Sequence, residues 1–183
     1  MNSFTQPDVL AACSKYGPQL NVDGIEYLRP DGAVQSVSGA ALMLAIAAVE
    51  TGGGQVDYAG HDCGPRHEPA YDEGGKFWKT SNSLQLLIGE YGSQAAMSYG
   101  PWQMMFDNFT LGEFHTFVPS SLTTDLEFLA VNFVNFFNHY VLHFHPTSVV
   151  EVGEIWNAGH ITSDPAYTDK LMDAYSVALS LYP

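Results

Sequence analysis

The clearest hydrophobic pattern is a run of ten apolar residues at positions 40–49, which follows a serine and precedes three consecutive glycines. A side-chain oxygen such as that of Ser38 accepts hydrogen bonds from the first backbone amides of a helix. A helix that is apolar on all sides is typical of a protein interior. The pattern therefore predicts a buried helix that ends before Gly52.

Other segments repeat apolar residues at the spacing of amphipathic helices. The longest is 122–144, with Thr123 or Thr124 as its cap and Pro146 after its end. We predict further helices at 6–16, 83–91, 149–156 and from about 164 to 181, and a short helix after Gly100-Pro101. Short strands are expected only within 21–37 and 55–80. The predicted fold is mainly α: one domain over residues 1–183, with a small irregular or β-containing lobe.

The composition is acidic, with 6 basic and 20 acidic residues and a formal net charge of −14. Such a surface repels phosphate backbones, so no nucleic-acid partner is expected. No apolar run approaches the ~20 residues of a membrane span, and no signal peptide is visible at the N-terminus. We therefore expect no membrane partner. Cys13 and Cys63 are too few for a disulfide framework, and the sequence leaves one bridge and two free thiols as equal alternatives.

Glu50 is the strongest candidate for chemistry, because it is the first ionisable side chain after the apolar helix. A carboxyl group held against an apolar wall has a raised pKa, which a general acid near neutral pH requires. The alternative is a Glu that points into solvent at the helix end, although a carboxylate there opposes the helix dipole. Position alone leaves both interpretations open.

Two later motifs combine aromatic and amide side chains, which suit the C–H faces and hydroxyl groups of sugars. The first is Tyr99-Gly100-Pro101-Trp102-Gln103-Met104-Met105, and the second is Trp156-Asn157-Ala158-Gly159. Taken singly, the first motif is equally a packed turn and the second is equally a helix C-cap.

In this order, Glu50-Thr51 and the two motifs resemble the lysozyme superfamily. The similarity is greatest to soluble lytic transglycosylases, goose-type lysozymes and phage N-acetylmuramidase endolysins. Those families show a Glu-Ser or Glu-Thr helix end, a Gly-x-x-Gln-Ile-Met type stretch and a Tyr-Asn-Ala-Gly type turn. His67-Glu68-Pro69 is also similar to a Phe-Glu-Pro stretch of the phage muramidases. The resemblance covers residues 41–175 and implies a lysozyme-like helical fold.

The resemblance also implies a reaction, cleavage of the β-1,4 bond between N-acetylmuramic acid and N-acetylglucosamine with Glu50 as general acid. An inverting enzyme needs a second carboxylate, whereas a lytic transglycosylase closes a 1,6-anhydro ring without one. We favour Asp62 as the second carboxylate, because goose-type enzymes carry an Asp shortly after the catalytic Glu. The other candidates are Asp57, Glu68, Asp72 and Glu73. The residues expected to bind substrate are Tyr71, Tyr99, Gln103, Trp156 and Asn157.

Two histidine groups have partial metal-ligand spacing: His139, His143 and His145 form one, and His61, Asp62, Cys63 and His67 form the other. For the first group we favour an interaction of the histidines with the dipole at the C-terminal end of their helix. We predict no metal and no cofactor.

The expected partner is bacterial cell-wall polysaccharide, acted on by a monomer that is secreted or phage-delivered. The rival functions are a chitosanase or chitinase of the same fold, since an acidic protein would be steered toward polycationic chitosan. A non-catalytic wall-binding or phage structural protein is the third possibility.

Overall fold

The computed structural model describes residues 4–110, 121–161 and 165–182. Within these residues the protein is mainly α-helical with two small antiparallel sheets, as the sequence predicts. The helices are α1 (Gln6–Tyr16), α2 (Gly39–Thr51), α3 (Asn82–Tyr91), α4 (Ser121–Thr124), α5 (Leu126–His139), α6 (Val149–Ala158) and α7 (Pro165–Ala178). The strands are β1 (Glu26–Leu28), β2 (Val34–Ser36), β3 (Arg66–His67), β4 (Met97–Tyr99) and β5 (Met104–Met105).

The apolar helix α2 lies in the centre of the core. Its residues 41–48 are completely buried, and it packs chiefly against α7 and α1. Burying one large aliphatic side chain stabilises a protein by about 1.5–3 kcal/mol, so this helix is a main source of stability. The Ser38 hydroxyl accepts a hydrogen bond from the Ala41 amide, which confirms the predicted cap.

Strands β1 and β2 lie within the predicted range 21–37 and β3 lies within 55–80, whereas β4 and β5 lie outside both ranges. The expectation of strands only in those two ranges was therefore wrong, because the turn at residues 100–103 brings 104–105 back alongside 97–99. Strands β1 and β2 form a hairpin, and β3, β4 and β5 form a three-stranded antiparallel sheet in that order. Ser98 pairs with Arg66 on one side and with Met105 on the other. This second sheet therefore holds β3 and β5 on the two sides of β4.

Two predicted helices differ from the structure. The segment 122–144 divides into α4, α5 and a 3-10 turn at Val141–Phe144, because Asp125 has extended backbone angles and caps α5 through the Phe128 amide. The segment after Gly100-Pro101 forms a turn that leads into β5. Gly100 and Gln103 both have positive φ angles, 76° and 45°, which a right-handed helix does not admit.

Both cysteines are buried as free thiols, which settles the alternative that the sequence left open. Cys63 Sγ accepts a hydrogen bond from the Phe4 amide at 3.4 Å. In the part of the chain that the structure describes, no helix combines the length and apolar character needed to cross a membrane.

Candidate active site

A cleft of about 550 Å³ separates the three-stranded sheet from the helical part of the molecule. The end of α2, strands β3 and β5, and parts of α5 and α6 all contribute to its walls. The lining residues are Glu50, Arg66, Glu68, Ala70, Tyr71, Phe77, Gln103, Met104, Met105, Asn108, Phe136, Tyr140 and 155–159. Three of them are acidic or basic residues, and aromatic, methionine and amide side chains make up most of the remainder.

Glu50 lies in the last turn of α2, where the buried helix reaches the cleft. The next residue, Thr51, donates a hydrogen bond from its hydroxyl to the Ala47 carbonyl at 2.8 Å and accepts one from the Gly60 amide at 2.7 Å. These bonds fix the path of the chain immediately after Glu50. Only 12% of the Glu50 side chain is exposed, so the interpretation as a solvent-facing helix end does not hold.

The two oxygens of Glu50 have different surroundings. Oε1 accepts hydrogen bonds from the Tyr167 hydroxyl at 2.9 Å and from the Trp156 indole Nε1 at 3.1 Å. Oε2 lies 3.7 Å from the Arg66 Nη2 and accepts neither of those bonds. Because Oε1 is held by two donors, Oε2 is the oxygen that can carry a proton toward a ligand.

Burial raises the pKa of Glu50 above its ordinary value. The Tyr167 hydrogen bond, the Arg66 charge and the Trp156 hydrogen bond act in the opposite direction, and the Glu68 charge adds to the rise. Burial has the largest effect, so the net shift favours the protonated form. A raised pKa of this kind suits a general acid.

Glu68 is the second carboxylate in the cleft, and Arg66 connects it to Glu50. Arg66 Nε donates to Glu68 Oε1 at 2.7 Å, and the same guanidinium faces Glu50 Oε2. Arg66 therefore lies between the two carboxyl groups of the cleft. Since 53% of the Arg66 side chain is exposed, water weakens both ion pairs and the guanidinium can move aside at small cost.

Ser98 connects Glu68 to the turn that holds Gln103. Its hydroxyl lies 3.0 Å from Glu68 Oε1 and 2.9 Å from Gln103 Oε1, and its single proton can serve one of them at a time. Gln103 Nε2 also donates to the Gly100 carbonyl at 2.9 Å. Gln103 does line the cleft as predicted, but its amide is largely occupied in stabilising the turn.

The structure brings three other predicted binding residues, Trp156, Asn157 and Tyr71, to the cleft. Trp156 has a further role that the motif does not indicate, since its indole nitrogen binds Glu50. Burial raises the pKa of Tyr71 to about 12, with smaller contributions from the charges of Asp107 and Glu68, so its hydroxyl remains a donor at neutral pH.

Two predicted site residues lie elsewhere. Tyr99 is buried, donates to the Gln94 carbonyl at 3.0 Å and packs near Phe106. Consecutive strand residues point to opposite faces, so Ser98 faces Glu68 and Tyr99 turns away from the cleft. Asp62 is exposed in the loop before β3 and does not line the cleft. Of the alternative carboxylates that the sequence offers, Glu68 lines the cleft, whereas Asp57, Asp72 and Glu73 do not.

Tyr167 is a residue of the candidate site that the sequence did not indicate. It belongs to α7, and its hydroxyl donates to Glu50 although Tyr167 does not itself line the cleft. The buried positions Leu171, Ala174 and Ala178 recur at helical spacing from Tyr167, which places it on the inner face of α7. That spacing indicates burial, but it gives no sign of a partner 117 residues away.

Among residues 4–110, 121–161 and 165–182, no group of three or more His, Cys, Asp or Glu side chains is arranged to hold a metal ion. Comparison of the chain with protein-family models, curated proteins and solved structures found no match.

Proposed function

We propose that this protein is a glycoside hydrolase with a lysozyme-like fold, which cleaves peptidoglycan between N-acetylmuramic acid and N-acetylglucosamine. The observation that carries the proposal is the buried Glu50 carboxyl group, held by two donors on one oxygen, with its other oxygen facing an aromatic-rich cleft. The order of the sequence motifs supports the substrate class. The helical core with a small sheet beside the cleft supports the fold.

In the proposed mechanism, Glu50 donates a proton from Oε2 to the glycosidic oxygen as the bond to the anomeric carbon breaks. Tyr167 and Trp156 hold the carboxyl group in place and accommodate the negative charge that it acquires. General acid catalysis of this kind accelerates a reaction by about 10²–10⁴-fold. Arg66 must move from its substrate-free position to admit the sugar between the two carboxylates, which its exposure permits.

We further propose that Glu68, rather than Asp62, is the second carboxylate. It shares Arg66 with Glu50 and lines the same cleft. In an inverting hydrolase it would accept a proton from the attacking water on the opposite face of the sugar. If the sugar's own 6-hydroxyl attacks instead, the product is a 1,6-anhydro sugar and no water is consumed.

Release of soluble fragments from purified peptidoglycan tests the proposal. We expect wild type to release fragments and Glu50→Gln to lose about 10²–10⁴-fold in rate, with its circular dichroism unchanged. A comparison of Glu68→Gln with Asp62→Asn then identifies the second carboxylate. We expect a large loss only in Glu68→Gln, and the reverse pattern would restore Asp62 to the site.

A chitosanase is the second candidate function, because the net charge of −14 would steer a polycationic substrate toward the protein. The cleft itself supports an N-acetylated substrate, since Glu68 is paired with Arg66 and most of the lining is uncharged. Parallel assays on chitosan and peptidoglycan separate the two functions. Preference for chitosan, with a steep loss of rate at high salt, would replace the first proposal. Binding without fragment release from either polymer would indicate a non-catalytic wall-binding protein.

A further inference from the structure

The loop at residues 68–80 holds two aromatic rings beside each other in the cleft. Tyr71 and Phe77 have ring centroids 4.7 Å apart at an angle of 44°, and both line the cleft that contains Glu50. We name this pair the Tyr71–Phe77 platform. Phe77 is 39% exposed, so part of its side chain is open to a ligand in the cleft.

Backbone bonds fix the shape of this loop. The Phe77 amide donates to the Ala70 carbonyl at 2.9 Å, and the Gly75 amide donates to the Asp72 carbonyl at 2.7 Å. The chain passes so close to itself that a Cβ atom on Gly75 would lie 2.6 Å from the Ala70 carbonyl oxygen. The loop is therefore built tightly around the contact between the two rings.

A hydrogen bond attaches the loop to the strand that carries Arg66. His67 Nε2 lies 2.9 Å from Asp72 Oδ1, and His67 is the last residue of β3. The platform is thereby anchored next to the proposed catalytic carboxylates. Its position relative to them is set by the sheet and by the loop's own hydrogen bonds.

A second aromatic group lines the same cleft from the helical side. Phe136 of α5 stacks with Tyr140, the residue that follows the helix, with centroids 5.0 Å apart at 16°. Phe136 also meets Trp156 edge to face. Tyr140 is near enough to Tyr71 to contribute to the raised pKa of the Tyr71 phenol. The cleft is therefore lined by aromatic rings on both its sheet side and its helical side.

We propose that the Tyr71–Phe77 platform is a binding subsite for one pyranose ring of a neutral, N-acetylated glycan, and that it sets the length of glycan that the cleft holds tightly. The inference rests on the proposed function in that it takes the cleft as the glycan site. The C–H face of a pyranose carries partial positive charge, and the face of an aromatic ring carries partial negative charge. Ring hydroxyls and the acetamido group of such a sugar can meet the Tyr71 hydroxyl and the amides of the cleft.

Binding of N-acetylglucosamine oligomers to full-length Glu50→Gln protein tests the subsite without turnover. Dissociation constants are measured by calorimetry for oligomers of increasing length. Adding Phe77→Ala should weaken binding of the longest oligomers about tenfold, equivalent to about 1.4 kcal/mol, and leave the disaccharide unchanged. Phe77→Leu keeps an apolar side chain in the loop but no aromatic ring, so it should also weaken binding of the longest oligomers. Phe77→Trp keeps an aromatic ring and should bind them about as tightly as the protein with Phe77. Leu86→Ala is the control, because Leu86 is 76% exposed on α3 and does not line the cleft.

The outcomes separate this inference from the proposed function. The subsite would be overturned if the Glu50→Gln protein with and without Phe77→Ala bound every oligomer with equal affinity. It would also be overturned if Phe77→Ala weakened binding equally at every oligomer length, or if no oligomer bound at all. Loss confined to long oligomers would establish it, even if peptidoglycan were not cleaved. In that case the subsite would stand and the proposed hydrolase activity would fall.

Discussion

Tyr167→Phe isolates the effect of one hydrogen bond on the proposed catalytic acid. The Tyr167 hydroxyl donates to Glu50 Oε1 at 2.9 Å, and the substitution removes only that oxygen. A hydrogen bond to a charged group contributes about 1.5–3 kcal/mol, compared with about 0.5–1.5 kcal/mol between neutral groups. The carboxylate form of Glu50 therefore loses about 1–1.5 kcal/mol more than the protonated form.

That difference raises the pKa of Glu50 by about one, because each pKa unit corresponds to 1.36 kcal/mol. A general acid works only while protonated, so the decline of kcat/KM at high pH should move upward by about one pH unit. The assay is the rate of fragment release from purified peptidoglycan, measured across the pH range for wild type and variant. Activity on the acidic side of the profile should be largely retained.

Tyr175→Phe is the matched control, since it makes the same chemical change on the same helix. The Tyr175 hydroxyl accepts a hydrogen bond from the Ser38 amide at 2.8 Å, at the opposite end of α2 from Glu50. This variant should lose some stability and keep the wild-type pH profile. A high-pH limb that stays in place or moves to lower pH in Tyr167→Phe would refute the assignment of Glu50 as the acid held by Tyr167.

Two further predictions concern the same carboxyl group. Arg66→Gln removes a positive charge that lowers the pKa of Glu50, so the high-pH limb of the activity profile should again move to higher pH. Arg66→Lys keeps the charge and should stay closer to wild type. Identical pH profiles for all three proteins would contradict the role given to Arg66. Glu50→Gln should change how the stability of the protein depends on pH. Because the pKa of Glu50 is raised in the folded protein, the stabilising contribution of this group is complete below the unfolded-state pKa. That contribution is lost as pH rises through the folded-state pKa. The urea midpoint of Glu50→Gln should therefore gain on that of wild type as pH rises above the ordinary pKa of a glutamate. A difference in midpoint that stays constant with pH would show that Glu50 is not held in an environment that disfavours its charge.

The helical part of the fold was largely predictable from local patterns. The α1 boundaries agree with the predicted 6–16 segment, and α2, α3 and α6 lie within a few residues of prediction. These helices have clear apolar spacing and recognisable ends. The errors occur where single residues adopt special backbone angles: Asp125 interrupts the predicted long helix, and Gln103 adopts a left-handed angle within a turn.

The site was predictable only where its residues are close to a helix end or a motif. Glu50, Trp156 and Asn157 were identified in this way, and all three line the cleft. That Glu68 and not Asp62 lines the cleft depends on which residues pair in the sheet, and the short strand β3 has too little sequence pattern to reveal this. Tyr167 reaches Glu50 only through the packing of α7 against α2, a long-range contact that no local spacing encodes.

The most direct test of the central claim is the mass of the soluble products released from purified peptidoglycan in ¹⁸O-labelled water. We expect wild type to release muropeptides with a reducing end that carries one labelled oxygen, and Glu50→Gln to release almost none. Unlabelled products lighter by one water would retain Glu50 as the acid and assign the anhydro route. Equal release of fragments by wild type and Glu50→Gln would contradict the account.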